Sequence, residues 1–155
     1  MLIGVDWGGT KIEIVAMEAD GTELLRERKL TPRGDYEGCL RMVRELVERI
    51  EVTLGRSGSV GIGIPGSVDP ISGKGKGGSS TWINGMPIVE DLHRVLRRPL
   101  RIQNDADCFA ASEARDGAGK EYRVVFGVIL ASGAGAGIAI DQVAHHGPNN
   151  SAGDW

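Results

Sequence analysis

The chain has 155 residues, carries a formal charge of −3, and is 41% apolar and 25% charged. That length suits one domain or two small lobes, and the composition excludes disordered and collagen-like classes. The weak negative charge leaves no broad basic field for nucleic acid, and aromatics at 5% put the weight of any core on Val, Ile, Leu and Ala.

Residues 2–6 form a short apolar run closed by Asp6, the pattern of a buried strand. Residues 11–17 alternate, with Ile12, Ile14 and Ala16 on one face, and Asp20-Gly21 is a hairpin signal. Residues 22–30 are a more charged strand, expected near a sheet edge. Asp35 is placed to cap a helix over 36–54, where Leu40, Val43, Val47, Ile50 and Leu54 recur at helical spacing and Gly55 and Gly58 end it. A strand follows over 60–64. Residues 66–85 are rich in Gly, Ser and Pro, read as a surface loop or short hairpin of the kind that carries function. A helix over 87–97, with Ile88, Leu92 and Val95 or Leu96 inward, stops before Pro99. A strand over 100–103 exits into Asn104-Asp105, and an alanine-rich helix runs over 106–115. From Val124 a second strand–turn–strand begins. The arrangement predicts an α/β fold with a mixed sheet flanked by helices.

Two segments share one design, an apolar strand, a glycine-rich turn with a hydroxyl residue, and another apolar strand. The first turn is Asp6-Trp7-Gly8-Gly9-Thr10-Lys11, the second Ala131-Ser132-Gly133-Ala134-Gly135-Ala136-Gly137. Turns without side chains let backbone N–H groups approach phosphate oxygens, so a facing pair could clamp a polyphosphate such as that of ATP. Asp6 can serve a magnesium-bound water, since Mg2+ keeps several waters and one carboxylate is often enough. A tight hairpin with an acid at its mouth is the alternative for the first turn, and close strand packing for the second.

Asp105 stands at a strand exit, where a carboxylate can take the proton of an attacking sugar hydroxyl while Asn104 fixes that hydroxyl. An N-cap for the following helix is the alternative, with Asp107 a competing cap. Asn84, before Gly85, could bond a sugar or simply make a turn, and Trp82 could stack or pack. Gly61 to Gly66 matches G-x-G-x-x-G, but Pro65 and Pro70 forbid the helix that a dinucleotide site needs. Cys39 and Cys108 read as reduced, packed thiols of a cytoplasmic protein, and Arg94, Arg97, Arg98 and Arg101 as a solvated helix end. His93, His145 and His146 show no metal spacing, so no zinc ligand is expected. The uncharged stretch 124–140 is too short and too glycine-rich for a membrane helix, and strand-like sequence from Leu2 leaves no room for a leader.

Together the D-x-G-G-T-K turn at Asp6 to Lys11, Gly61 to Gly66, Asn104-Asp105-Ala106-Asp107-Cys108, the second glycine turn and the tail Gly147 to Trp155 resemble the ROK family of sugar kinases and repressors. That family lies in the actin/hexokinase/Hsp70 ATPase superfamily, with a ribonuclease H-like fold. Thr81 to Gly85 and Asp154-Trp155 look nearest to its fructokinase-type members. The resemblance implies ATP-dependent phosphorylation of a hexose (fructose, glucose or mannose) with ATP and Mg2+. It implies Asp105 as catalytic base, and Asn84, Asn104, Gly66 and Asp154 at the sugar. Asp6, Gly8, Gly9, Thr10, Lys11, Ser132, Gly133, Ala134 and Gly135 would serve nucleotide and metal. It implies a first lobe over 1–116, the start of a second over 117–155, and a homodimer through the second lobe. Departures are Ala131-Ser132 in place of Gly-Thr, Asp154 in place of glutamate, and a chain that stops before the family's histidine and C-x-C-G-x-x-G-C zinc motif. Zn2+ is thus expected only in a full-length relative, and low activity in this chain. The alternatives are an inactive remnant or a sugar-sensing regulator without its DNA-binding domain.

Overall fold

The computed structural model describes residues 1–130 and 133–153. β1 (Leu2–Trp7), β2 (Lys11–Met17) and β3 (Glu23–Leu30) form an antiparallel meander. β4 (Ser59–Ile64) and β7 (Leu100–Asn104) then add in parallel, giving a five-stranded mixed sheet ordered β3-β2-β1-β4-β7. β3 is the edge, as its charge predicts; Arg and Glu side chains along it discourage further pairing.

α1 (Tyr36–Leu54) matches its predicted bounds. The Asp35 carboxylate accepts from Gly38 N–H at 2.8 Å, and Gly55 closes the helix in the left-handed conformation. α1 and α2 (Ile88–Leu96) cover one face of the sheet. Their Leu40, Val43, Val47, Ile50, Ile88, Leu92 and Leu96 pack on Ile3, Val5, Trp7, Ile12, Ile14 and Ile62 in one apolar cluster. Arg98 is not the solvated charge expected of that helix end. It forks onto Glu51 of α1 at 2.5 and 2.9 Å, and its hydrogen bonds hold the Glu51 carboxyl below the usual range.

Of the two readings of residues 66–85, surface loop or short hairpin, the hairpin holds. β5 (Ser67–Val68) and β6 (Gly75–Lys76) pair as a hairpin, a 3-10 turn spans Thr81–Ile83, and Ser67, Gly75, Ser80 and Ile83 are buried. Gly66, at φ +78°, is the hinge into the hairpin, and a side chain there would strike the Lys76 and Gly78 backbones.

The second glycine segment forms β8 (Val124–Leu130) and β9 (Ala134–Ile140), which with β10 (Val143–Ala144) make a separate antiparallel sheet ordered β10-β9-β8. The uncharged stretch is therefore a hairpin, and no described helix is long and apolar enough to cross a membrane. α3 (Asp105–Arg115), assigned by sequence to the first lobe, packs on this second sheet through Ala110 and Ala114 against Val125 and Ala139. The approach is close because β9 presents Gly137, where any side chain would overlap the Ala106 carbonyl and the Asp107 Cα.

Candidate active site

β1, β4 and β7 run parallel, so their carboxyl ends reach the same rim of the sheet, where ligands of α/β folds gather. Asp6 and the first glycine turn leave β1 there, Pro65 and Gly66 leave β4, and Asn104-Asp105 leave β7. This rim opens into a cleft of about 1710 Å3 whose walls include Asp6, Gly8, Gly9, Thr10, Lys11, Gly66, Asn104 and Asp105. Gly133, Ala134 and Gly135 line the same cleft from the second hairpin. The two glycine turns and the strand-exit carboxylate thus converge. Ser132 and Asp154, also expected at the site, lie outside the described residues.

Within the first turn, Gly8 N–H donates to Lys11 O at 3.0 Å, and Thr31 closes the turn from behind, its hydroxyl donating to Gly8 O at 2.7 Å. Gly8 therefore shapes the turn, and Gly9 and Thr10 are its remaining candidates for phosphate oxygens. Gly9 lies so near the Ser80 hydroxyl that a Cβ would stand 2.8 Å from it.

Asp6 opens onto the cleft. Partial burial, then the nearby Glu13 charge, push its pKa up, and Lys11 pulls it down. Glu13 is saturated by cations, at 2.5 Å from Arg26, 2.7 Å from Arg28 and 3.5 Å from Lys11, and the Arg26 hydrogen bond leads in holding its carboxyl low. A carboxylate exposed to a cleft, with its charge incompletely offset, fits a hydrated Mg2+. No group of three or more His, Cys, Asp or Glu side chains among the described residues could hold a metal directly.

Asn104 is the N-cap of α3. Its Oδ1 accepts from Asp107 N–H at 3.0 Å and its Nδ2 donates to Gly66 O at 2.7 Å. The cap reading of Asp107 is thereby corrected. The Asn104 side chain ties the β4 exit to the β7 exit. Asp105 Oδ1 accepts from Ala106 N–H at 2.8 Å, which fixes the carboxylate at the cleft wall. Asn84 does not line the cleft. Its amide clamps Gly78, accepting from the N–H at 3.0 Å and donating to the carbonyl at 3.1 Å, so the turn reading describes what it does in this structure.

Gln103, Asp107 and His146, none of them expected to bind a ligand, meet behind the site. Asp107, 2% exposed, accepts from Gln103 Nε2 at 2.5 Å, and His146 Nδ1 lies 3.2 Å from the same oxygen. Gln103 and His146 are 2.9 Å apart. The segment after His146 then lies against the β5–β6 hairpin: Lys76 Nζ donates to Asn149 O at 2.9 Å and Asn150 Nδ2 to Val68 O at 3.1 Å. Asn149 and Asn150 of the tail motif are thus held against the hairpin that follows β4. Nothing in the spacing of Gln103, Asp107 and His146 announces their contact, because it joins a strand, a helix and a tail across a sharp change of direction. Cys108 is also corrected. It is exposed, lines the cleft, and its thiol is pushed up to about 11, first by desolvation and then by Asp107, Asp105 and Asp6. Cys39 is buried, as expected.

The model of the ROK family matches residues 2–155. N-acetyl-D-glucosamine kinase of Haemophilus influenzae (strain 86-028NP) is 38% identical over 154 residues, covering 99% of this chain and 51% of the relative. The enzyme of the same name from Yersinia pestis bv. Antiqua (strain Nepal516) is 38% identical over 155 residues, covering 100% and 60%. The chain thus spans about half the length of the curated relatives it matches. Among solved structures, a ROK family glucokinase from Streptomyces griseus in complex with glucose and AMPPNP superposes with TM-score 0.88 at 28% identity, covering 99% of this chain and 49% of that one. A ROK hexokinase from Thermus thermophilus gives 0.84 at 26%, covering 99% and 51%. The fold is therefore the mixed α/β actin-like one that the motifs imply, and the chain belongs to the ROK family.

Proposed function

We propose that this chain supplies the catalytic-base half of an ATP-dependent sugar kinase acting on an N-acetylated hexosamine, N-acetyl-D-glucosamine foremost. The observation that carries the reading is the convergence of Asp105 with both glycine turns on one cleft. The leaning towards fructose, glucose or mannose gives way because the matched relatives bear N-acetyl-D-glucosamine kinase names.

In this reading the sugar hydroxyl lies against Asp105, which takes its proton as the oxygen attacks the γ-phosphorus of ATP and ADP departs. Asn104 sets the position of that turn through its bonds to Gly66 and Asp107 and offers its remaining amide proton to the sugar. The Gly9-Thr10 and Gly133–Gly135 backbones bind phosphate oxygens. Asp6 would hold Mg2+ through water, and the ion would offset phosphate charge. The two turns sit on different sheets, so a nucleotide between them draws the sheets together and excludes water from the transfer.

The test is ADP release over a panel of N-acetyl-D-glucosamine, N-acetyl-D-mannosamine, glucose, mannose and fructose. N-acetyl-D-glucosamine should give the highest kcat/KM, and Asp105→Asn should lower kcat by a factor of about 10² to 10⁴ with little change in KM. Turnover that survives Asp105→Asn would remove the base assignment.

A further inference from the structure

The indole N–H groups of Trp7 and Trp82 are buried with no oxygen or nitrogen to bond. A buried tryptophan N–H ordinarily finds such a partner, because leaving it bare forfeits the hydrogen bond it had with water. Both instead converge on the sulfur of Cys39. Burial pushes the Cys39 thiol up, the Trp82 N–H pulls it back, Asp35 adds to the rise, and the Trp7 N–H pulls again. Each indole thus lies where its N–H favours electron density on the sulfur. The thiol itself donates to Pro32 O at 3.5 Å. A thiol is a weak donor and a weak, polarizable acceptor, so one side chain can serve all three partners.

Those partners belong to three segments that back one corner of the cleft. Trp7 stands between Asp6 and Gly8, 0% exposed and stacked on Tyr36 with ring centres 6.2 Å apart. Pro32 follows Thr31, which closes the glycine turn by donating its hydroxyl to Gly8 O and its N–H to Thr10 O at 3.0 Å. Trp82 lies in the 3-10 turn just after Ser80, the residue whose hydroxyl crowds Gly9. Gly8, Gly9, Thr10, Ser80 and Trp82 all line the cleft. Cys39, wholly buried on α1, does not line it and meets all three segments behind it.

Packing alone does not ask for a thiol at this position. Leu40, Val43, Leu46, Val47 and Ile50 fill the rest of the buried face of α1. An aliphatic residue at 39 would fill the same space and leave both indole N–H groups bare.

We propose that Cys39 is a positioning residue of the cleft. Its sulfur takes both indole N–H groups and so holds the glycine turn and the Ser80–Trp82 segment as one wall, which a ligand on either part moves as a unit. The service of that wall to a nucleotide rests on the kinase reading; the thiol hub itself does not.

Two substitutions separate positioning from packing. Cys39→Val keeps the volume and removes the polar atom, while Cys39→Ser keeps a donor and an acceptor in a smaller side chain. The readouts are the indole N–H resonances of Trp7 and Trp82, in a Trp155→Phe background, and their exchange with solvent. Without ligand, both indole protons should exchange at least about tenfold faster in Cys39→Val than in wild type, and within about threefold of wild type in Cys39→Ser. On titration with MgATP both signals should shift together in wild type and in Cys39→Ser. Cys39→Val should bind at least about tenfold more weakly, with the Trp82 signal no longer tracking that of Trp7. Should Cys39→Val fail to fold, Cys39→Ala replaces it, and Cys39→Ser must then stay closer to wild type than Cys39→Ala on both readouts. The proposal falls if Cys39→Val matches wild type, or if Cys39→Ser is the more disturbed of the two, as packing alone would require. If MgATP moves neither signal in folded wild-type protein, the nucleotide reading of the turn falls, and the exchange rates alone decide the hub.

Discussion

At the residue scale, the cleft holds two groups, the Asp6 carboxyl and the Cys108 thiol, whose surroundings disfavour their charge. Folding raises the Asp6 pKa, chiefly by desolvation and then by Glu13. Between the ordinary aspartate value and that raised value the native state holds a proton the unfolded chain has released. Stability therefore falls as pH rises through that window, and the cost is complete at neutral pH. Asp6→Asn should raise the melting temperature at pH 7, and the gain should vanish below the ordinary aspartate range. Thermal melts across pH 3 to 8 measure it, and an Asn variant no more stable than wild type at pH 7 would refute the argument. Cys108 follows the same logic on the thiol side. Its pKa, pushed up to about 11, keeps it protonated and slow to alkylate at pH 8 although reagents reach it. The iodoacetamide rate should climb towards pH 11, and Asp105→Asn should move that rise to lower pH by removing one of the charges responsible. An unshifted profile in the variant would show that Asp105 does not face the thiol.

At the element scale, what was legible in the sequence is what local chemistry decides. α1 was readable to its ends because Asp35, Gly55 and five apolar residues at helical spacing all point to the same answer. The two glycine turns were readable as a pair because strand–turn–strand is a local signal. The β5–β6 hairpin was readable only as one of two alternatives, since it is held by tertiary contacts such as Asn150 to Val68 as well as by its own pattern. The sheet on which α3 packs was not legible, for a related reason. α3 buries a face of small residues, Ala106, Ala110 and Ala114, which by themselves name no partner, and the choice falls to the glycines of the opposing strands. Gly137→Ala tests that choice. Its Cβ would overlap the Ala106 carbonyl and approach the Asp107 Cα, both backbone atoms that cannot swing aside. A loss of about 1–3 kcal/mol in chemical denaturation is expected. Gly133→Ala, with nothing within 4 Å of the new Cβ, should be near neutral, and equal costs at the two positions would show that close packing of α3 is not the cause.

At the scale of the whole molecule, the chain holds two cores of unequal strength. The first sheet, α1 and α2 bury a continuous set of large side chains, with Trp7, Leu40, Leu46, Ile50 and Ile88 each wholly or nearly wholly enclosed. The second core rests on Ala110, Ala114 and Ala139 with Val125 beside them, and it leaves one sheet face open. Burial of apolar area is the main source of stability, at about 25 cal/mol per Å2, so an alanine core under a single helix contributes far less per residue. The two cores meet at the β7–α3 junction, where Asn104, Asp107, Gln103 and His146 supply polar ties rather than apolar contact. Such ties hold geometry but add little cooperativity, so the second sheet should open without the first. Native-state hydrogen exchange should therefore find the amides of β8, β9 and α3 exchanging at a lower opening free energy than those of β1, β2 and α1. Urea well below the global midpoint should release the first group while leaving the second protected. Uniform protection across both sheets would show that the two cores fold as one unit.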